Sequence, residues 1–322
     1  MFKNALCEGG LVRMERFGKI ALAIHGGASS GSDYLDNNIT SYEEGLERAT
    51  TAGYKVLMDG RSAIEAVHVA VKVMEDNPLF NAGLGSALNE NGEIQMEAAI
   101  MDGKYLQSGA VAMVNQIKNP ISLAKAIMEN SNHTMIAGQP AIEYAVNHGM
   151  MPVSNEYCIT EQQRKKFLQS KSAISYNLPI NGKKKAYGTV GAVALDRHGN
   201  TAAATSTGGP ALAHAGRIGD SSMIGAGCYA DNSTCAISAT GQSEYLVRLV
   251  VAHDIAAIME FGGKTLQEGC DYKIHEKHKH MLAEMGVIGV DRGGNISFSF
   301  NTECMCRASI SNQQPLYVGI YK

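Results

Sequence analysis

Apolar positions recur along this chain in two rhythms, one with helical spacing and one with strand spacing. Residues 20–24 are five apolar residues running into His25-Gly26-Gly27, a strand followed by a glycine turn. Ser41-Tyr42-Glu43-Glu44 has the form of a capping box and predicts a helix lasting to about Met58, with Gly60 behind it. Ser62-Ala63-Ile64-Glu65 opens a second helix, rich in Ala and Val, which Pro78 forces to end. Asn91-Gly92, between residues 86–90 and 93–100, signals a hairpin. Residues 109–114 predict a strand, and residues 121–129 and 141–148 predict helices. Residues 190–195 are apolar on both faces, as a buried strand is, and the turn at 196–200 leads into a returning strand at 201–205. A further strand spans 235–239, helices span 243–261 and 265–285, and residues 287–290 and 296–300 form a late hairpin. Periodicity alone supports a mixture of α and β, with no internal repeat.

Composition adds limits. The 322 residues are 45% hydrophobic and 18% charged, enough to bury a large core as one big domain or two. The net charge of −3 gives no electrostatic footprint for nucleic acid or an anionic membrane. The run at 20–24 is too short for an export segment or a membrane span, so a cytoplasmic protein is expected. The seven cysteines are scattered, without a Cys-x-x-Cys, and Cys304-x-Cys306 has strand spacing; they read as thiols in a reducing compartment. His275, His278 and His280 do not match a zinc ligand set and read, with Lys277 and Lys279, as a solvated helix face. Residues 161–185 carry Arg164-Lys165-Lys166 and Lys183-Lys184-Lys185 with no sustained apolar period, and read as a solvated, partly disordered linker. Only Phe167 and Tyr176 there could stack on bases, which argues against a nucleic-acid patch. Gly83-Leu84-Gly85 and Gly225-Ala226-Gly227 are too short for a dinucleotide site.

The chemistry concentrates at Gly188-Thr189, where that linker meets the buried strand. A threonine hydroxyl in mid-chain is a poor nucleophile with no base attached. At a free N-terminus the same residue carries its own α-amine, with an ordinary pKa near ~8, which can deprotonate the hydroxyl through one water. Gly188 suits a scissile position, because glycine tolerates the strained backbone that an N→O acyl shift requires. On spacing alone, Gly-Thr reads as no more than the opening of a buried strand. The segments that follow, up to Gly241, change the balance. They bring Ser206-Thr207-Gly208-Gly209, then Gly216-Arg217-Ile218-Gly219-Asp220-Ser221, then Thr240-Gly241 at the end of the 235–239 strand.

That order resembles the plant-type asparaginases/isoaspartyl peptidases, members of the N-terminal-nucleophile hydrolases, and most of all their dual asparaginase and β-aspartyl peptidase subgroup. Residues 20–27, Asn77-Pro78-Leu79-Phe80-Asn81-Ala82-Gly83 and Met101-Asp102-Gly103 match further family segments, so the likeness runs from about Ile20 to Ile320. The resemblance implies an α/β four-layer αββα sandwich. It implies self-cleavage between Gly188 and Thr189, giving an α subunit of residues 1–188 and a β subunit of residues 189–322, and a dimer (αβ)2 of such pairs. Thr189 would be nucleophile and base, with Thr207 orienting its hydroxyl. Arg217 offers a planar fork for the substrate α-carboxylate, and Asp220 would accept its α-ammonium; an Arg and an Asp this close can also simply pair on a surface loop. Thr240 and Gly241 would form the oxyanion hole, and Asn81 would steady the free amine, although it also reads as an ordinary loop asparagine. Residues 74–84 resemble the family's cation loop, implying sodium held by the backbone of Met74, Glu75, Asn77, Phe80, Ala82 and Leu84, with no other cofactor.

The chain departs from the family pattern at several points. Leu212 and Ala213 stand where Asn-Lys is usual, Pro210 stiffens the same loop, Ser243 replaces a glycine, and Ala28-Ser29-Ser30 replaces a more glycine-rich run. These bear on substrate breadth and processing speed more than on reaction type. The expected reaction is hydrolysis of L-asparagine to aspartate and ammonia and of β-aspartyl dipeptides. The alternatives are a hydrolase of glycosylated asparagine and a silent family member that binds aspartyl ligands.

Overall fold

The computed structural model describes residues 18–175 and 188–322. The chain begins with strand β1 (Ala21–Ser29), a short helix α1 (Asp33–Asp36), and helices α2 (Ile39–Met58) and α3 (Ala63–Glu75). Then come β2 (Met96–Asp102), β3 (Ser108–Val114), α4 (Pro120–Asn130), β4 (Met135–Ala137), α5 (Gln139–Asn147) and α6 (Glu161–Ser175). The second half opens with the hairpin β5 (Val190–Leu195) and β6 (Thr201–Thr207), followed by β7 (Cys228–Ala230) and β8 (Cys235–Gly241). Helices α7 (Ser243–Arg248), α8 (Val251–Gly262) and α9 (Leu266–Asp271) precede β9 (Met285–Asp291), β10 (Ile296–Phe300), β11 (Cys304–Ser311) and β12 (Tyr317–Tyr321).

These strands form two sheets. The larger runs β12-β11-β1-β5-β6-β2-β3-β4 and the smaller β10-β9-β8-β7. Because β1 and β5 are covered on both faces, β5 is apolar throughout and β1 is apolar along its buried length except at His25. One face of the large sheet (Leu22, Ile24, Ala192, Ala194) packs on Leu46, Val67, Val71 and Met74 of α2 and α3. Its other face (Ala21, Ala23, Val193, Ala203) meets Ala236, Ile288 and Val290 of the small sheet. The far side of the small sheet (Ile237, Ala239, Val287) is covered by Val251, Ile255 and Leu266 of α8 and α9. Helix, sheet, sheet, helix: this is the four-layer αββα sandwich. Small residues dominate between the sheets, which lets the two backbones approach.

Several elements differ from their sequence signals. Ser62 does close a capping box with Glu65, but Ser41 does not cap α2. That helix starts two residues earlier, after α1, whose own cap is Ser32; the preceding turn delivers a chain already curled. Asn91-Gly92 forms a turn without flanking strands: the Asn89 side chain accepts from the N–H groups of Asn91 and Glu93, and β2 begins only at Met96. Helix 243–261 is split by Val250, which takes a left-handed φ of 45°, and the helix expected to reach 285 leaves α-geometry after Asp271. The expected linker at 161–185 is corrected over its first part, which is helix α6. Gln163 pins that helix by donating to the Gly85 carbonyl from a buried position, and Lys165 pairs with Glu161 one turn away. Residues 176–187, with Tyr176 and Lys183-Lys184-Lys185, lie outside the described residues, as do 1–17 with Cys7. Among the described residues the six cysteines are free and buried, no cluster of three or more His, Cys, Asp or Glu is placed to hold a metal, and no helix is long and apolar enough to cross a membrane.

Candidate active site

The β5–β6 hairpin fixes the centre of the site. Its ladder ends at the pair Val190↔Ser206, so one residue further out stand Thr189 on one strand and Thr207 on the other. Both are buried, and both line a cleft of about 340 Å3 together with Asn81, Gly188, Gly209, Pro210, Arg217, Gly241, Gln242, Ser243, Glu244 and Tyr245. The turn at 196–200 therefore places two threonines face to face at the open end of a rigid ladder. The Thr207 hydroxyl accepts from the Gly209 N–H at 3.1 Å, which fixes its rotamer and leaves its proton to donate.

Gly188 lies against Asn81: a Cβ at position 188 would fall 2.5 Å from the Asn81 Cβ. Only glycine fits this approach. The Asn81 amide is engaged at both ends, donating to the Gly209 carbonyl at 2.7 Å and accepting from the Ala87 N–H at 2.7 Å. It thus ties the 78–87 loop to the glycine turn after Thr207.

Arg217 is held between two carboxylates. Its Nε and Nη2 donate to Glu244 Oε1 at 3.1 and 2.9 Å, and its Nη1 stands 3.6 Å from Glu97 Oε1 without making a hydrogen bond. That leaves one buried donor of the fork open beside the cleft. Glu97 is itself buried, accepts from the Gly219 N–H on both oxygens and from Ser222, and burial raises its pKa against the pull of Arg217. Asp220 does not line the cleft. It is fully buried just behind the wall, beside Ser243, and burial pushes its pKa up to about 7. It is not ion-paired with Arg217; the partners of Arg217 are Glu97 and Glu244.

Gly241 ends β8 with φ of 134°, and a Cβ there would meet the Glu284 carbonyl at 2.4 Å. Glycine is required, and its backbone borders the cleft. Thr240 is placed one step deeper, fully buried, its hydroxyl accepting from the Ala28 N–H at 3.3 Å. The four motif regions around positions 81, 189, 207–217 and 241 thus converge on one cleft, with Asp220 and Thr240 behind its surface.

Sequence reasoning missed Glu97, Glu244, Gln242 and Tyr245. Glu97 did leave a signal: a carboxylate between Met96 and Ala98 in a buried strand is out of place unless a cation answers it. Glu244 and Tyr245 left none, since both read as ordinary residues of an exposed helical turn.

The cation loop can be tested for its donor set. Backbone carbonyls crowd the two glycines of this loop: a Cβ on Gly83 would meet the Glu75 carbonyl at 2.5 Å, and one on Gly85 those of Pro78 and Phe80 at 2.6 and 2.7 Å. Neutral carbonyl oxygens are donors that a hard cation can use, but those of Met74, Glu75 and Asn77 already accept from the N–H groups of Asn77, Leu84 and Phe80.

Residues 18–320 match the family model described as Asparaginase. The chain is 41% identical to a protein named isoaspartyl peptidase from Escherichia coli (strain K12), over 95% of this chain and 97% of that one. It is likewise 41% identical to the isoaspartyl peptidase/L-asparaginase of Xenopus laevis, over 94% and 96%. With that of Mus musculus it shares 40% identity, over 94% and 90%. With the family model spanning nearly its whole length, the αββα sandwich in place and the motif residues gathered in one cleft, this chain belongs to the asparaginase family.

Proposed function

We propose that this protein is an autoprocessing threonine amidohydrolase that converts L-asparagine to L-aspartate and ammonia and cleaves β-aspartyl dipeptides. The observation that carries this reading is Thr189 opposite Thr207 at the end of the β5–β6 ladder, facing a cleft that also holds Arg217 and Gly241. In the precursor, the Thr189 hydroxyl attacks the Gly188 carbonyl and the acyl group passes from nitrogen to oxygen. Water then cleaves the ester, leaving residues 1–188 and a second fragment that begins with the free amine of Thr189. That amine takes the hydroxyl proton, through one water, as Oγ attacks the side-chain carbonyl of the substrate. The negative oxygen that develops is held by the Gly241 N–H, with the Thr240 hydroxyl behind it. The proton passes to the departing nitrogen, ammonia or an amino acid leaves, and water hydrolyses the β-aspartyl ester.

Substrate orientation follows from charge. The open Nη1 of Arg217 receives the α-carboxylate, and Asp220, in its ionised form, draws the α-ammonium through the Ser243 wall. Sodium, if bound by the carbonyls of Met74, Glu75, Asn77, Phe80, Ala82 and Leu84, would stiffen the loop that carries Asn81. The active unit is the αβ pair in a dimer (αβ)2, working in the cytoplasm.

The test is a denaturing gel with N-terminal sequencing, alongside ammonia release from L-asparagine. Two fragments, the smaller starting at Thr189, together with turnover are the expected result. Active mature protein starting elsewhere would refute the mechanism, and an intact chain that binds aspartate without turnover would mark a silent binder.

A further inference from the structure

Thr189 is gripped by a group that plays no part in the hydrolytic steps. His25 is wholly buried, and its Nδ1 lies 3.0 Å from the Thr189 carbonyl oxygen while its Nε2 lies 2.8 Å from Ser238 Oγ. A carbonyl can only accept, so Nδ1 carries the ring proton. Burial lowers the pKa of this histidine to about 3, so the ring is neutral and Nε2 must accept from Ser238. Thr205 Oγ1 stands 2.8 Å from Ser238 Oγ and donates its one proton to the Gly227 carbonyl at 3.0 Å. The protons therefore point one way: Ser238 to His25, and His25 to the Thr189 carbonyl. The hydrogen bonds run from β8 of the small sheet to β1 of the large one and end on the residue at the cleft. Room for them comes from Gly191, where a Cβ would lie 2.0 Å from Ser238 Oγ and 2.4 Å from His25 Nε2.

We infer that His25 is a positioning residue for the nucleophile, holding Thr189 by its carbonyl so that amine and hydroxyl face the cleft once the peptide link to Gly188 is gone. A chain terminus has lost one of its two covalent tethers, and the ladder itself stops at Val190. The carbonyl of Thr189 is the remaining backbone handle, and a neutral, single-tautomer imidazole buried between sheets is a rigid donor for it. Misplacing a reacting group by about 1 Å costs roughly 10²-fold in rate.

This inference rests on the reading of Thr189 as nucleophile. It is tested on fully split protein with L-asparagine, using His25→Leu, which removes the donor, and His25→Asn, whose Nδ2 replaces Nδ1. Expected is a fall in kcat of roughly 10²-fold in His25→Leu with KM little changed, and recovery of most of that loss in His25→Asn. Ser238→Ala, which frees the ring to turn while keeping the donor, should lower kcat by a smaller factor, and it serves alone if His25→Leu does not fold or split. Parental kcat in His25→Leu or, where that variant is lost, in Ser238→Ala would overturn the inference. So would equal losses in the Leu and Asn variants, or a loss confined to KM. An inactive parent protein would instead strike at the nucleophile assignment itself.

Discussion

Arg217 spends two of its donors on Glu244 and keeps one open beside a buried carboxylate, so its value lies in the planar fork rather than in charge alone. Lysine would keep the charge but not the geometry. Arg217→Lys should raise KM for L-asparagine roughly ten- to a hundredfold, the worth of a charge-assisted hydrogen bond, and leave self-cleavage largely intact. Steady-state kinetics and a gel on the same sample check both halves. Thr189 is less forgiving: Thr189→Ala should remain a single chain without turnover, whereas Thr189→Ser should split slowly and retain reduced activity. Asp220 adds a pH dependence. Burial is the main cause of its raised pKa, with Glu97 adding to it and Ser243 and Arg217 opposing it. Below about pH 7 its carboxyl is protonated and offers no charge to an ammonium; above that it is anionic. KM should therefore rise as pH falls from about 7 to about 6, separately from the loss of kcat as the Thr189 amine becomes protonated. A KM flat across that range would remove Asp220 from recognition.

At the scale of elements, the same physics reads differently at each end of a helix. The Ser62 capping box was legible because Ser-x-x-Glu before an Ala- and Val-rich run satisfies two N-terminal donors locally. Ser62→Ala should cost about 1 kcal/mol, visible as a melting temperature a few degrees lower. The identical pattern at Ser41 failed, since α1 and Asn38 had already started the turn. Strand β3 meets α4 so closely that a Cβ on Gly109 would lie 2.0 Å from the Ala124 carbonyl. Gly109→Ala must push the helix off the sheet and should destabilise by roughly 1–3 kcal/mol in thermal unfolding, more than Ser62→Ala does. Nothing local marks Gly109 as special; its constraint comes from the helix that packs across it.

For the whole molecule, the sheet order decides what the proposed self-cleavage would do. Across the large sheet, β12, β11, β5 and β6 lie after position 188, while β1, β2, β3 and β4 lie before it, and the two sets interleave. Strand β1 sits between β11 and β5, and β6 pairs with β2. Two fragments made at 188/189 share one sheet and one core, so neither can leave without exposing both. Split protein should elute from a native sizing column as one species and resolve into two fragments only in denaturant. Separation of the fragments under native conditions would contradict the shared-sheet architecture.

Local chemistry fixed much of this in the sequence itself. The buried 190–195 run, the turn at 196–200 and the return strand set a register that brings Thr189 opposite Thr207, and all of it lies within one hairpin. The close neighbours of the glycines at 188, 191 and 241 were not legible in the sequence. What only the tertiary structure decided involves partners far apart in the chain: Glu97 beneath Arg217, Asn81 against Gly188, His25 reaching Thr189 past Gly191, and Asp220 behind the cleft wall rather than in it. Hairpin register and helix caps depend on neighbours a few residues away, so sequence pattern can express them. Pairing a buried carboxylate with a distant cation depends on how the loop after β6 folds back over β2, and no local pattern carries that information.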